Sequence, residues 1–168
     1  MPELNIAQWL GLLSFALGVV SFYQRDDKKL KIVMLALQFN NVLHYGLLGA
    51  WTASFSSMLS VARTGLALRT RSRRLAYLFI ALSFLLGWVI GDTWTDIFPI
   101  LGTSMGTYAM FCLSGIRMRL AFLLGSAFWL TNNIIVGSIG GTLLEMTIVI
   151  VNLNTIRRLY KSQKLNTE

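Results

Sequence analysis

Three ionisable side chains, His44, Arg63 and Glu145, lie inside long apolar stretches of this sequence. A charged group within a membrane-spanning helix is costly, and the usual reason for keeping one there is function. An arginine at that depth can bind an anionic group of a solute, and a histidine or a carboxylate can carry protons or gate a passage. The three positions therefore predict a polar site for a small solute.

Polar residues recur at helical spacing around these three positions. Residues three, four or seven apart share one face of a helix. Arg63 and Asn152 each lie about ten residues, or roughly 15 Å, from the predicted outer end of their helices, which is about mid-membrane. We therefore expect three polar faces to surround one cavity. These faces are Asn40, Asn41 and His44; Ser56, Ser60 and Arg63; and Thr142, Glu145 and Asn152.

Structural roles remain open for the same residues. The asparagines at 40, 41, 132 and 133 could hold helices together through interhelical hydrogen bonds. Arg63 could instead reach the headgroup region, or pair with Glu145 only to stabilise the bundle. His44 could be a satisfied core group. Trp129 lies one turn before Asn133 on the same face, so it could stack on a ligand or pack in the core.

The composition favours a membrane protein. Of the 168 residues, 55% are hydrophobic and 13% are charged, and the mean hydropathy is +0.61, whereas soluble domains carry about 25% charged residues. The net charge of +8 does not indicate nucleic-acid binding, because the basic residues form short clusters between apolar runs.

Several kinds of chemistry are absent from the sequence. The single cysteine, Cys112, excludes an intrachain disulfide, and there is no nucleotide loop, paired carboxylate or metal-ligand spacing. We therefore expect no enzymatic activity, no cofactor and no metal. No basic residue precedes the first apolar run, so no cleaved signal peptide is expected.

Seven apolar runs predict seven membrane-spanning helices, with six as the alternative because 53–68 contains Arg63. In the seven-helix arrangement, the connections at 24–31, 69–74 and 115–119 and the tail share one side and hold 14 of the 15 basic residues. The positive-inside rule then places the N-terminus in the periplasm and the C-terminus in the cytoplasm. The runs are 8–23, 32–50, 53–68, 75–91, 97–114, 120–137 and 142–156.

A weak internal repeat appears when the chain is shifted by 92 residues. We predict an all-α membrane protein with one domain, 1–168, built from two parallel three-helix repeats at about 8–69 and 97–158. A connector helix at about 75–91 joins them and keeps them parallel, as in one class of transporter. The shift places Asn40 and Asn41 on Asn132 and Asn133, and Gly49 on Gly141.

Three stretches carry a resemblance to a known family: "NVLHYGLLGAW", "ARTGLALRTRS" and "NNIIVGSIGGTLLEM". With the length and the helix order, they resemble the YgjV family of small bacterial inner-membrane proteins over nearly the whole chain. The segment "GSIGGT" followed by Glu145 is the most specific part. The resemblance implies a location in the bacterial inner membrane and no particular chemistry.

The predicted architecture also resembles, more loosely, the SWEET, PQ-loop and PnuC transporters, which move sugars, amino acids or vitamins. The likeness to SWEETs implies a solute contact at Asn152 and at Ser60, where SWEETs carry asparagines. SWEETs have proline hinges in four helices, whereas Pro99 alone could act so here. This departure argues against proline-hinged rocking and against a sugar substrate.

The favoured function is therefore a transporter or facilitator that moves a small polar solute, anionic or zwitterionic, by alternating access. The alternative is a structural or assembly protein whose polar residues only pack helices. The expected partners are the solute and the lipid bilayer, and a homo-oligomer is compatible with either function. Candidate substrate-binding residues are Asn40, Asn41, Ser60, Arg63, Trp129, Asn133 and Asn152, and candidate gating or proton-coupling residues are His44 and Glu145.

Overall fold

The computed structural model describes residues 6–47, 51–91, 93–135 and 139–165. Within these ranges the chain is helical and contains no strand, as the sequence predicted. The α-helices are α1 Ile6–Tyr23, α2 Asp27–Leu47, α3 Trp51–Arg69, α4 Arg73–Ile90, α5 Ile97–Cys112, α6 Gly115–Ile135 and α7 Ile139–Leu165, with a 3₁₀ turn at Trp94–Asp96.

Two helices, α2 and α6, begin five residues before the apolar runs that predicted them. The carboxylate of Asp26 accepts a hydrogen bond from the Lys29 backbone N–H at 2.8 Å, which satisfies a free donor in the first turn of α2. Gly115 begins α6 with a φ of +56°, a conformation that glycine adopts at little cost. The predicted connections at 24–31 and 115–119 are therefore mostly helical, and their last residues, Lys31 and Arg119, lie inside helices.

Each helix packs on its neighbours in sequence within two groups, α1–α2–α3 and α5–α6–α7. The groups meet where α1 packs on α7 and where α3 packs on α5. Helix α4 packs mainly on α5 and leaves one side bare: Trp88 is 88% exposed and Val89 is 70% exposed.

The distribution of side chains is the reverse of that in a soluble protein. Large apolar side chains, such as Ile134 and Ile150, stand on the outside of the bundle. Buried positions include Lys31, Arg63 and Arg119. An apolar exterior of this extent marks a surface that contacts lipid or protein.

By length and composition, one helix among the described residues is long and apolar enough to cross a membrane: α4, Arg73–Ile90. A shorter apolar segment, Trp9–Tyr23, lies in α1. The other helices are interrupted by polar residues, and α5 has only 16 residues. The polar interruptions are largely the inward-facing residues described below.

Three connections and the C-terminal part of α7 meet at one end of the bundle, which we call the basic end. Arg71 in the connection after α3 donates to the Leu113 carbonyl after α5 at 2.9 Å. The Arg158 guanidinium in α7 lies 4.3 Å from the centre of the Tyr23 ring at the end of α1. The sequence placed these basic segments on one side, and they do share one end. The predicted arrangement of seven spans puts Glu3, Asp92 and Asp96 on the other side. Glu3 and Asp92 lie outside the described residues, and Asp96 ends the 3₁₀ turn before α5.

The predicted three-helix repeat with a shift of 92 residues stays a prediction. Asp27 and Gly115 begin helices of 21 residues each, 88 residues apart. The two shifts differ by about one helical turn, so both turn the same helix face inward. At a shift of 88 residues, the pairs of described positions that are buried in both groups are Ser14 and Gly102, Gly18 and Gly106, Ser21 and Ala109, Phe22 and Met110, Leu30 and Met118, Lys31 and Arg119, Met34 and Phe122, Leu37 and Gly125, Gln38 and Ser126, Ser60 and Ile148, Thr64 and Asn152, and Ala67 and Thr155.

Candidate functional site: a polar cavity between the helix groups

A cavity of about 150 Å³ lies between the two helix groups, lined by residues from α2, α3, α5, α6 and α7 and by Phe22 of α1. Its volume exceeds the share of one water molecule, about 30 Å³, several-fold. Six of the nine predicted site residues line it: Asn41, Ser60, Arg63, Trp129, Asn133 and Glu145.

Arg63 is the most deeply buried charge of the cavity, with 4% of the residue exposed. Its Nη1 donates to the Thr103 carbonyl and to Thr107 Oγ1, both at 2.8 Å, on the neighbouring helix α5. Its Nε is buried and has no partner. Arg63 and Glu145 form no ion pair with each other, so the predicted pairing that would only stabilise the bundle does not occur.

Gln38 positions the other side of the guanidinium. In the amide orientation that satisfies its neighbours, the Gln38 nitrogen donates to Thr64 Oγ1 at 2.7 Å and to the Ser60 carbonyl at 2.8 Å. The Gln38 oxygen then accepts from Arg63 Nη2 at 3.1 Å. Arg63 is thus held by uncharged oxygens, and its positive charge is not neutralised by a neighbouring carboxylate.

Sequence reasoning missed the contribution of α5. Thr103 and Thr107 lie one turn apart, next to Gly102 and Gly106, and this small-residue pattern is typical of close helix packing. The pattern could have indicated a tight interface. It could not indicate that the interface supplies the partners of Arg63.

The indole ring of Trp129 forms part of the cavity wall and packs against Gly102. A Cβ atom built at Gly102 would lie 2.6 Å from Trp129 Cδ1 and 2.8 Å from Nε1, and 3.0 Å from the Gly125 carbonyl oxygen. No larger residue fits at 102 unless the indole moves. The orientation of Trp129 at the cavity therefore depends on residue 102 being a glycine.

Glu145 lies on the opposite group from Arg63. Its carboxylate lies close to the hydroxyl of Ser126 of α6, another cavity residue. Tyr45 and Asn133 also line the cavity. Glu145 lies in the second turn of α7, whose C-terminal part is at the basic end, so it is nearer to the opposite end of the bundle.

Aromatic and aliphatic side chains close the cavity toward the basic end. The rings of Phe22 and Phe122 meet edge to face, with centroids 5.5 Å apart. Met34 and Ile148 complete this floor. All four residues are buried.

Three predicted site residues lie outside the cavity lining. The Asn40 amide donates to the Leu10 carbonyl and to Ser14 Oγ of α1, both at 2.7 Å. The Asn152 amide donates to the Arg119 carbonyl at 2.9 Å. His44 packs on Gly11 of α1, since its Cε1 would lie 3.3 Å from a Cβ built there. These residues make the interhelical contacts that were the alternative interpretation.

Two further buried cations, Lys31 and Arg119, lie near the basic end. Their burial was not predicted. Lys31 Nζ donates to the Met110 carbonyl at 2.7 Å, and Arg119 Nη1 donates to the Phe22 carbonyl at 3.3 Å. Both the donors and the acceptors differ by 88 residues, so the two contacts are equivalent. Each joins one helix group to the other.

Further bonds complete these two contacts. Lys31 also donates to the Ala67 carbonyl at 3.2 Å, and Arg119 Nη2 donates to the Gln24 carbonyl at 2.7 Å. Arg119 in addition lies 3.8 Å from Asp27. Cations at the C-terminal carbonyls of helices are favourable because the helix dipole is negative there.

A helical bundle with an apolar exterior and a polar, charged interior has the side-chain distribution of a membrane protein. The chain belongs to the Imp-YgjV family of bacterial inner membrane proteins, whose model matches residues 5–163. It is 32% identical to the inner membrane protein YgjV of Escherichia coli strain K12 over 159 residues, covering 95% of this chain and 87% of that relative. No solved structure matches the chain.

Proposed function

We propose that the chain is a multi-pass transporter or facilitator of a small polar solute that carries an anionic group. In this proposal the two three-helix groups are parallel repeats, and rocking of one against the other gives alternating access to the cavity. The observation that carries the proposal is Arg63, a buried guanidinium at the cavity with no carboxylate partner. Solute anions are the natural partners for such a group.

The equivalent contacts of Lys31 and Arg119 support the repeat arrangement. Two groups related in this way can move about the contacts that join them, as in other transporters built from parallel repeats. The floor of Phe22 and Phe122 supports a conformation that is closed toward the basic end. His44 and Glu145 are the candidates for gating or proton coupling.

The test is ligand-induced stabilisation of the purified protein in detergent, screened against a panel of metabolites. We expect an anionic or dipolar solute to raise the melting temperature of the wild type and to leave that of Arg63→Gln unchanged. The positive solute should then enter proteoliposomes that contain the wild type and not those that contain the variant. A folded wild type that responds to no solute would contradict the proposal.

The proposed topology places the N-terminus in the periplasm and the basic end in the cytoplasm. A reporter that is active only in the cytoplasm should work when fused at the C-terminus or within 69–74. It should fail when inserted at 92–96. Activity at 92–96 would contradict the seven-span arrangement.

A second candidate function is a membrane protein that transports nothing. The interhelical bonds of Asn40, Asn152, Lys31 and Arg119 favour it, because all four groups donate to backbone carbonyls and serve packing. Arg63 distinguishes the two functions. If it only packs helices, Arg63→Gln lowers the melting temperature and there is no ligand effect to lose.

A further inference from the structure

The cavity contains one positive and one negative side chain that do not pair with each other. Arg63 belongs to α3 and Glu145 to α7, so the two charges come from different helix groups. Each has neutral neighbours instead: Arg63 donates to Thr103 and Thr107, and the Glu145 carboxylate lies close to the Ser126 hydroxyl. A ligand in this cavity could therefore place an anionic group at Arg63 and a cationic group at Glu145.

The Arg63 side retains donors for an anionic group. A guanidinium has five N–H donors. Two from Nη1 bond Thr103 and Thr107, and one from Nη2 bonds Gln38. The Nε–H and one Nη2–H remain, and the nitrogens Nε and Nη2 share an edge of the guanidinium plane. Such an edge matches the two oxygens of a carboxylate.

The unpartnered Nε is itself a reason to expect a ligand there. A buried N–H without an acceptor is unfavourable, and native proteins rarely keep one. In the described part of the chain, Nε is unpartnered in both Arg63 and Arg119, but of these two arginines only Arg63 lines the cavity, where a ligand could reach it. An anionic group bound at Arg63 would supply the missing acceptor.

The Glu145 side suits a cationic group. A carboxylate can accept about four hydrogen bonds, and the Ser126 hydroxyl beside Glu145 can supply one of them. The aromatic rings of Tyr45 and Trp129 line the same cavity, and aromatic faces attract ammonium groups. The wall thus combines a carboxylate with aromatic rings, as ammonium sites do.

We propose that the solute is dipolar: a small amino-carboxylate whose carboxylate binds Arg63 and whose ammonium group binds Glu145. This inference rests on the proposed function and narrows its substrate class. A solute with only an anionic group would share a cavity of about 150 Å³ with the repelling carboxylate of Glu145. A solute with only a cationic group would meet Arg63 in the same way. A dipolar solute satisfies both.

The experiment uses three matched probes: 4-aminobutanoate, butanoate and butylammonium. Binding to the detergent-solubilised full chain is measured by titration calorimetry and by the shift in melting temperature. Glycine, 3-aminopropanoate, 5-aminopentanoate and 6-aminohexanoate extend the series, so that the best length reports the separation of the two positions. The variants are Arg63→Gln, Glu145→Gln and the double variant. Arg63→Lys and Glu145→Asp keep the charges, and circular dichroism checks folding.

We expect the best amino-carboxylate to bind about ten- to a hundredfold more tightly than either singly charged probe, the range of a charge-assisted hydrogen bond. Arg63→Gln should remove its advantage over butylammonium. Glu145→Gln should remove its advantage over butanoate. The double variant should lose both advantages. Arg63→Lys and Glu145→Asp, which keep the charges, should still bind the amino-carboxylate measurably more tightly than the singly charged probes.

Three results would overturn the inference. One is equal binding of the amino-carboxylate and butanoate by the wild type. Another is an unchanged preference in Glu145→Gln, which would leave the carboxylate a proton-coupling or gating role. The third is a length series in which no member binds. In each case the transport proposal would stand if another anionic metabolite stabilised the wild type but not Arg63→Gln. It would fall together with the inference if none did.

Discussion

Two layers of buried cations in this protein differ in how their charges are satisfied. Near the basic end, Lys31 and Arg119 donate to carbonyl oxygens that close the α1 and α5 helices, and Arg119 also has Asp27. In the cavity, Arg63 also donates to neutral oxygens, but it has no carboxylate of the described residues within ion-pair distance and it lines the space between the helix groups. Burial and an unpartnered Nε are common to Arg63 and Arg119, whereas the nearby carboxylate of Asp27 and the contact with the cavity distinguish them.

The layers also differ in symmetry. Lys31 and Arg119 lie 88 residues apart and each makes one corresponding contact, to Met110 and to Phe22, while their second acceptors differ. Arg63 corresponds to Val151, a residue that cannot bear charge. The two helix groups thus repeat the contacts that hold them together, whereas the charged lining of the cavity differs between them.

The largest expected effect is the loss of stability in Arg119→Met. The Phe22 and Gln24 carbonyls and the carboxylate of Asp27 lose a partner, and removing one member of a buried pair costs about 3–5 kcal/mol. The free energy of unfolding in mixed micelles measures the loss. Arg117→Met, an exposed arginine on the same helix, is the matched control and should change little. Equal stability of both variants would mean that the basic-end layer is not structural.

Lys31→Met should have the next largest effect, about 2–4 kcal/mol, because two charge-assisted bonds are lost but no ion pair is broken. The same unfolding measurement applies, with exposed Lys29→Met as control. Because the two cations occupy equivalent positions, both variants should weaken the association of the helix groups. Protease accessibility of the connections at the basic end should rise in both. If it rises in only one of them, the contacts are not equivalent.

Gly102→Ala should cost about 1–3 kcal/mol, the usual range for overpacking a helix interface. The new methyl group displaces Trp129, and the effect should extend to ligand binding because the indole lines the cavity. Gly65→Ala is the control, since a Cβ at that position meets nothing within 4 Å. Tryptophan emission reports the displacement. An unshifted spectrum in Gly102→Ala would argue against this packing.

The smallest expected effect on stability is that of Arg63→Gln, about 1 kcal/mol or less. The lost hydrogen bonds are offset because a desolvated charge without a carboxylate partner is removed. The thermal melt measures this change, and the loss of ligand-induced stabilisation is read from the same experiment. If Arg63→Gln destabilised the protein as much as Arg119→Met, the two cation layers would not differ in function.

Sequence patterns predicted much of the architecture because helical periodicity is a local property. The seven helices follow the apolar runs, and spacings of three, four and seven residues placed Ser60, Arg63 and Glu145 correctly on inward faces. The same reasoning could not distinguish Asn41, which lines the cavity as well as accepting from Ser14 of α1, from Asn40 beside it, which bonds α1 and does not line the cavity. Neighbouring residues on a helix point about 100° apart, so the position of the next helix decides which one faces the cavity.

Only the tertiary structure identified the hydrogen-bond acceptors of the buried cations, because side-chain patterns do not indicate which backbone carbonyls will lie nearby. Lys31 and Arg119 end basic segments that look like surface loops, yet they are 5% and 0% exposed. Their partners are backbone carbonyls of helices far along the chain, and every residue type has such a carbonyl. The sequence by itself determined an apolar helical bundle with polar inward faces, because residue types define hydrophobicity and their spacing defines the helical period. Which buried charges hold the bundle together and which face an empty volume depended on where the helix ends meet.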